Sequence, residues 1–333
     1  MWDQRWSEGL AKLTVWLYGQ VDDDLAEEIL QKIGEIALSD TSIWRRAKKW
    51  GEKIKVVEAA RMAQAMVVPL QGGVVRGEEK TAQRMGVAMD GMMVNVREEG
   101  WKELKVGTVF EVEPQREVQE GARDTKEEVH AVNNSYTAIL GGPKQFGQAL
   151  WAESSRRQFS QAQETIALGD GAPWIWNVVA EHFAYSQQAV DWYHAKEHLY
   201  HVAHVAFGEG TANAIRWAKG METPLYQGQI WQVVGAIKRL SERYHRVEQE
   251  LRKEAEYFAR NKRRMQYLEL REEGFPIGSG MVESGCKQFH ARFTGPGMRW
   301  SRVGAERLAP IRAAILSKRF HEVWAAAYNL PQN

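Results

Sequence analysis

The sequence predicts a mixed α/β protein, in which a mixed β-sheet is flanked by helices. Residues 92–110 alternate apolar and polar side chains on both sides of a Gly-bearing turn, which is typical of a β-hairpin. Two short apolar runs, 164–170 and 188–194, enclose a helical segment in the order of a parallel crossover unit. The regions before residue 70 and after residue 194 show helical periodicity without a strand pattern.

The composition limits the classes of function. With 333 residues and 44% hydrophobic residues, the chain is long enough for about two folded domains. A single Cys excludes a disulfide scaffold and a Cys-rich zinc module. No apolar run approaches the roughly 18–20 residues of a membrane span, and no signal-peptide core is present, so we expect a cytoplasmic protein without a membrane partner. The net charge of +1 restricts any DNA binding to local patches.

Residues 1–70 are predicted to form a helical module that resembles a helix-turn-helix. Apolar residues recur at helical spacing after the acidic run 22–24, and Ser39-Asp40-Thr41 offers an N-cap for a second helix. Six basic residues against Glu52 give that second helix a local charge of +5; they are Arg45, Arg46, Lys48, Lys49, Lys53 and Lys55. A basic helix after a tight turn can enter the major groove of DNA, although a merely solvated helix face gives the same pattern.

The rest of the chain divides into four predicted segments: a linker at 71–83, a sheet-containing part at 84–194, a helical stretch at 195–270 and a helical return at 271–333. Within the second segment, 134–140 is a plausible third strand, and 173–183 is a helix with Pro173 in its first turn. A helix follows Gly278-Ser279-Gly280, with Val282, Cys286, Phe289 and Phe293 as its apolar stripe.

Three carboxylates from separate elements are candidates for one site. Asp90 ends the apolar segment GVAMD, Asp170 ends the strand TIALGD, and Glu283 lies in the first turn of the later helix. If they converge in a water-poor cleft, they resist joint ionisation, and a divalent cation removes that conflict. Mg²⁺ prefers such oxygen ligands, and a pair of ions supports in-line phosphoryl displacement.

Ordinary explanations remain open for each of these carboxylates. Asp-Gly occurs at 90–91 and at 170–171, and this dipeptide is common in turns. Glu283 precedes Lys287 by four residues, which is the spacing of an ordinary exposed helical ion pair.

A cluster of histidines offers another candidate site. His194, His198, His201 and His204 share one helical face, as zinc ligands would. The segment HAKEH lacks the Glu directly after the first His that the zincin motif requires, and no Cys lies nearby. A polar seam of histidines explains the spacing equally well.

Four separated segments, in the right order, resemble DDE insertion-sequence transposases of the Kra type, which are distant relatives of the Mutator-like elements. They are VAMDGMMVNVREEGWKELKVGTVFEVE, LGDGAPWIWNVVAEHF, VDWYHAKEHL and GFPIGSGMVESGCKQFHARFTGPGMRWS. The resemblance covers about residues 20–325. It implies a ribonuclease H-like catalytic core with a large all-helical insertion, here at 195–270.

The resemblance also implies the roles of individual residues. Two Asp and one Glu of the family bind two Mg²⁺ ions, which Mn²⁺ can replace; by position these are Asp90, Asp170 and Glu283. Related families carry Cys or Asp, two residues and then His after the second Asp, which identifies Asp191 and His194 as active-site support.

The partners expected of such an enzyme are terminal inverted repeats and target DNA, bound by at least a dimer in the bacterial nucleoid, without a nucleotide cofactor. The amide groups at Ser279–Gly280 could contact a phosphate. A basic segment with one aromatic residue could hold the strand; its members are Lys287, Arg292, Arg299, Trp300 and Arg302. Longer relatives carry more N-terminal sequence, sometimes with Cys pairs, which this chain lacks, so the resemblance bears on the catalytic core more than on recognition of element ends.

Two other classes of function remain open from the sequence. One is a transposase-derived protein that binds DNA through residues 41–55 without catalysis. The other is a zinc hydrolase that uses the face from His194 to His204. Intact acidic residues at 90, 170 and 283 favour the transposase interpretation over both.

Overall fold

The computed structural model describes residues 6–67, 82–114, 129–295 and 297–330. All but the last two residues of the predicted linker at 71–83 lie outside this range. The described helices are α1 Glu8–Gln20, α2 Asp23–Gly34, α3 Asp40–Val67, α4 Pro143–Arg156, α5 Pro173–His182, α6 Trp192–Phe207, α7 Ala212–Tyr226, α8 Ile230–Arg243, α9 Glu248–Asn261, α10 Tyr267–Glu272, α11 Gly280–Phe293, α12 Arg302–Leu316 and α13 Phe320–Tyr328.

One five-stranded sheet organises the described chain, as the predicted α/β class requires. Its strands are β1 Arg84–Val96, β2 Gly100–Pro114, β3 Val129–Ile139, β4 Glu164–Gly169 and β5 Gln187–Val190. They lie side by side in the order β3-β2-β1-β4-β5. The pairs β1–β2 and β2–β3 are antiparallel, whereas β1–β4 and β4–β5 are parallel. The predicted hairpin and the predicted parallel crossover through α5 are therefore both confirmed.

Two strand boundaries differ from the sequence prediction. Asp90 does not end its strand, because β1 continues with regular pairing as far as Val96. The apolar run 188–194 is not a strand throughout: β5 ends at Val190, and α6 begins at Trp192. The side chain of Asp191 accepts a hydrogen bond from the backbone N–H of His194, which caps the helix and ends the strand.

The sheet has an apolar core on each face. On one face Ala88 and Leu168 pack in a cluster that contains Phe289 and Phe293 of α11. On the other face Val87 and Ala167 belong to a cluster formed with helices α4 to α10. Because side chains alternate along a strand, the even-numbered residues of β1 and β4 face α11.

The N-terminal helices pack against the C-terminal ones. Trp50 of α3 and Trp324 of α13 have ring centroids 4.2 Å apart, and both belong to a cluster with Val15 of α1 and Ile311 of α12. The helical character predicted for residues 1–70 is thus confirmed within the described part, and α3 is longer than the predicted 41–55. Among the described residues, no helix has the length and apolar character needed to cross a membrane.

Candidate active site

Asp90 and Asp170 occupy equivalent positions on two adjacent parallel strands. The β1–β4 ladder ends with Met89 opposite Gly169, so the two aspartates come next on their chains. Each lies two residues beyond a side chain of the α11-facing core, Ala88 and Leu168 respectively. Both carboxylates therefore belong to the sheet face that α11 covers. Parallel neighbouring strands are about 4.8 Å apart, which brings these two residues together as predicted.

The local backbone of the two aspartates is different. Asp90 sits within a regular strand, where its Oδ1 accepts a hydrogen bond from the N–H of Gly91 at 2.7 Å. Asp170 begins a turn: its Oδ1 accepts from the N–H of Ala172 at 2.7 Å, and Gly171 has a φ of 97°. The turn interpretation of Asp-Gly thus holds at 170–171 and is wrong at 90–91.

The electrostatic environment of Asp90 disfavours its ionised form. Burial raises the pKa of Asp90 above its ordinary value, and the negative charge of Asp170 raises it further. The N–H of Gly91, the thiol of Cys286 and the nearby His194 act in the opposite direction. Burial also raises the pKa of the Cys286 thiol, which therefore remains a protonated donor toward Asp90. A bound cation would relieve the conflict between the two carboxylates.

Glu283 reaches the site from the first turn of α11. The predicted apolar stripe of this helix, with Val282, Cys286 and Phe289, is buried against the sheet, while Glu283 is only partly buried. Among the described residues, Glu283 and Lys287 form no ion pair, so the ordinary helical pair is not what fixes this carboxylate. One ligand atom each from Glu283, Asp191 and His194 lie within 4.8 Å of one another.

Asp191 is fully buried and connects three elements. Its Oδ1 accepts from the N–H of His194 at 2.8 Å, and its Oδ2 accepts from the N–H of Ser279 immediately before α11. Its own N–H donates to the carbonyl of Gly169 at 2.8 Å. Asp191 therefore fixes α11 relative to β4 and α6, and its support of an active site stays a prediction. The N–H of Ser279 is consequently not available to a phosphate, contrary to expectation.

The donor atoms of the site fit divalent cations. Asp90, Asp170 and Glu283 supply carboxylate oxygens, the ligands that Mg²⁺ and Mn²⁺ accept. The group of three residues whose ligand atoms lie within 4.8 Å of one another contains Glu283, but it contains neither Asp90 nor Asp170. Ligands of a two-ion site are spread over a wider space than those of one ion, because the ions lie about 3.5–4 Å apart. Burial raises the pKa of Asp90 most, and the charge of Asp170 raises it further, so a cation bound there would favour the ionised carboxylate.

The other histidines of the predicted zinc face point to carboxylates of α9. His198 Nδ1 lies 2.7 Å from Glu254 Oε2, and His201 Nε2 lies 3.0 Å from Glu250 Oε1. Within the described residues, neither these two nor His204 belongs to any group of three clustered metal ligands. These contacts favour the polar-seam interpretation for His198 and His201, and the four histidines of the alternative zinc face form no metal-ligand group in the described part of the chain.

The predicted DNA-binding residues of α3 separate into two sets. Arg45, Lys48 and Lys49 are exposed. Arg46 is buried, and its guanidinium lies 4.3 Å from the ring centroid of Trp6. The inclusion of Arg46 on the DNA-facing surface is thus wrong, because the helix turns this side chain toward the packed core.

The C-terminal basic segment is also divided. Lys287 and Arg299 are exposed. Arg292 is buried, and its Nε donates to the carbonyl of Tyr18 at 2.9 Å, so it connects α11 to α1 and cannot meet DNA as predicted. Arg302 forms a bidentate ion pair with Glu99, including a distance of 2.5 Å between its Nη2 and Oε2 of Glu99.

Trp300 joins the basic segment to the sheet. Its indole N–H donates to the carbonyl of Phe293 at 2.8 Å, and its backbone forms a bridge with Val96 of β1. Its ring is partly buried, with the guanidinium of Arg292 5.1 Å from a ring centroid. This arrangement gives Trp300 a structural role beside its predicted contact with DNA.

Two residues of the site could not be recognised from local sequence patterns. Tyr257 donates its hydroxyl to the carbonyl of Asp170 at 2.9 Å across 87 residues of sequence, and no local pattern marks it. Cys286 belongs to the predicted apolar stripe, which hides its contact with Asp90. The one available signal is its position one helical turn after Glu283, on the same face of the helix.

No family model matches the chain, and no curated protein matches it either.

Proposed function

We propose that this chain is a DNA transposase of the DDE type, which cleaves strands at terminal inverted repeats and joins the freed 3′ ends to target DNA. The observation that carries the proposal is the pair Asp90 and Asp170 on adjacent parallel strands, beneath the helix that bears Glu283. The resemblance in sequence identified these three residues independently of their position in space.

The arrangement of elements supports the proposed ribonuclease H-like core. Three antiparallel strands are followed by two parallel ones, and the two aspartates lie at the boundary between these parts, on β1 and directly after β4. Helices α6 to α10 lie between the last strand and the Glu-bearing α11, which is where the resemblance implies an all-helical insertion.

Asp90, Asp170 and Glu283 would hold two Mg²⁺ ions, with His194 beside them. Bound there, the ions supply activation of a water or 3′-hydroxyl and stabilisation of the leaving oxygen in an in-line displacement. Asp191 keeps the first turn of α11 against β4, and a carboxylate oxygen of Glu283 lies within 4.8 Å of ligand atoms of Asp191 and His194. The protonated Cys286 thiol orients the carboxylate of Asp90.

DNA contact is proposed through two exposed basic surfaces. Arg45, Lys48 and Lys49 form one on α3, and Lys287 and Arg299 form the other beside α11. With a net charge of +1, binding would depend on such local patches. The proposal leaves Arg46 and Arg292 out because both are buried.

The decisive experiment replaces the carboxylate of Glu283 by an amide of nearly the same shape. Glu283→Gln should lower Mg²⁺-dependent cleavage of labelled terminal-repeat DNA by about a thousandfold or more, since one metal ligand is lost. Mn²⁺ should support cleavage by the unmodified protein. The matched control is Glu273→Gln. Glu273 is exposed and follows the last residue of α10, so this variant should cleave the DNA at the normal rate.

Two results would count against the proposal. Robust cleavage by Glu283→Gln would remove Glu283 from the active site. Binding of terminal-repeat DNA by the unmodified protein without cleavage, under both Mg²⁺ and Mn²⁺, would favour a catalytically silent, transposase-derived DNA-binding protein.

A further inference from the structure

Helix α9 contacts the turn that carries Asp170. The hydroxyl of Tyr257 donates to the backbone carbonyl of Asp170 at 2.9 Å. A Cβ at Gly171 would lie 2.7 Å from Tyr257 Cε2 and 3.2 Å from Asn261 Nδ2. The chain passes so close to α9 here, with a φ of 97° at Gly171, that only glycine fits. The Asp170 turn is therefore built against α9.

Tyr257 is itself held firmly from several sides. Its ring stacks on the imidazole of His198 with centroids 3.8 Å apart, and His198 in turn lies 2.7 Å from Glu254. The amide of the buried Asn261 donates to the carbonyl of Tyr257 at 3.1 Å. These contacts leave the hydroxyl one well-defined direction, toward Asp170.

We infer that Tyr257 is a positioning residue for metal binding by Asp170, so that the helices between β5 and α11 help to build the metal site. The inference rests on the proposed function. The carboxylate of Asp170 is oriented by the N–H of Ala172, and the carbonyl of the same residue is held by Tyr257. With Oδ1 engaged by that N–H, the second carboxylate oxygen would be left for a metal ion; without the hydroxyl of Tyr257, the turn is anchored on one side only.

The test is Tyr257→Phe, which keeps the ring stacked on His198 and removes only the hydroxyl. Mn²⁺ binding to the full chain without DNA, followed by electron paramagnetic resonance of the free ion, should weaken by about tenfold, the usual effect of losing a group that orients a metal ligand. The thermal midpoint in EDTA should change little, because the stacking and the apolar burial remain. A purely structural role would lower that midpoint and leave the affinity for Mn²⁺ unchanged.

The matched control is Tyr267→Phe. Tyr267 is fully buried next to Trp192, and its hydroxyl has no hydrogen-bond partner among the described residues. This variant removes an equal group from the same core and should bind Mn²⁺ like the unmodified protein. Equal affinities of the Tyr257→Phe and Tyr267→Phe variants would overturn the inference.

A third variant, Asp170→Asn, separates this inference from the proposed function. If Asp170→Asn loses Mn²⁺ binding and Tyr257→Phe does not, only the role of Tyr257 fails. If Asp170→Asn binds Mn²⁺ normally, the metal site itself fails, and the role of Tyr257 fails with it. Loss of binding in Asp170→Asn with the tenfold weakening in Tyr257→Phe supports both.

Discussion

At the scale of single residues, Asp90 is a proposed metal ligand whose ionised form lowers the stability of the fold. Its carboxylate is partly buried, and burial together with the charge of Asp170 raises its pKa above the ordinary 3.8. The folded protein therefore binds a proton at Asp90 more tightly than the unfolded chain does. The contribution of this group to the free energy of unfolding falls as the pH rises from 3.8 through the raised pKa.

The consequence can be tested with Asp90→Asn. In EDTA at pH 7, well above the ordinary pKa of 3.8, the variant should have the higher thermal midpoint, because its amide carries no charge for burial to disfavour. The difference should shrink as the pH is lowered toward 4, and Mg²⁺ should raise the midpoint of the unmodified protein alone. Cleavage should be lost in the variant at every pH. A variant less stable than the unmodified protein in EDTA at pH 7 would contradict this account.

The two Asp-Gly dipeptides show how far single residues can be predicted. The sequence marked Asp90 and Asp170 as candidates, but the same dipeptide lies in a strand in one place and in a turn in the other. What decides between them is pairing with β2 at Gly91 and packing against α9 at Gly171. Both partners are distant in sequence, so no local pattern carries this information.

At the scale of elements, the connection made by Asp191 determines where α11 begins relative to the sheet. Asp191→Ala removes the N-cap of α6 and leaves the buried N–H of Ser279 without its acceptor. The first loss costs about 0.5–2 kcal/mol and the second about 1–3 kcal/mol. We expect a fall of about 2–4 kcal/mol in the free energy of unfolding, together with slower cleavage because Glu283 is displaced.

The matched control for that variant is Thr211→Ala. Thr211 caps α7 through the N–H of Ala214 at 3.2 Å, and this cap lies on a helix that does not carry a residue of the site. Its removal should cost about 1 kcal/mol, the ordinary effect of a missing cap, and leave cleavage unchanged. Urea denaturation followed by circular dichroism measures both variants. Equal costs in the two would show that Asp191 is no more than a cap.

Prediction succeeded best for elements with a regular pattern. The β1–β2 hairpin, the β4–α5–β5 crossover and the apolar stripe of α11 agree with the periodicity of the sequence. The run 188–194 failed because an apolar segment of that length suits either a strand or a helix. Asp191 divides this run because its side chain caps α6. That role is visible only in the structure, where Asp191 accepts a hydrogen bond from the N–H of His194.

At the scale of the whole molecule, the basic face of α3 could not be identified from the sequence alone. A long helix with basic residues at many positions must bury one side, and α3 buries Arg46, Trp50 and Ile54. The helices that cover it include α12 and α13, more than 200 residues later in the chain. Of the predicted DNA-binding residues of α3, only Arg45, Lys48 and Lys49 remain as an exposed candidate surface.

This exposed surface of α3 gives a prediction about DNA binding by the entire protein. Replacing Arg45, Lys48 and Lys49 together by Gln should weaken binding to double-stranded DNA and reduce its dependence on salt. Every phosphate that the variant no longer neutralises lowers the slope of log affinity against log salt by about 0.9, so three phosphates lower it by up to about 2.7. Fluorescence anisotropy on labelled terminal-repeat duplexes at several salt concentrations measures this slope.

The control must change the net charge equally at another place. Replacing Arg216, Lys219 and Lys238 by Gln removes three exposed cations from α7 and α8 and also takes the net charge from +1 to −2. If local binding of phosphates by α3 determines affinity, this control keeps the original salt slope. If total charge determines it, the slope falls equally in the two triple variants, and the assignment of α3 as a DNA-contacting element is wrong. Because the two variants are matched in charge, a difference between them can come only from the position of the cations on the fold.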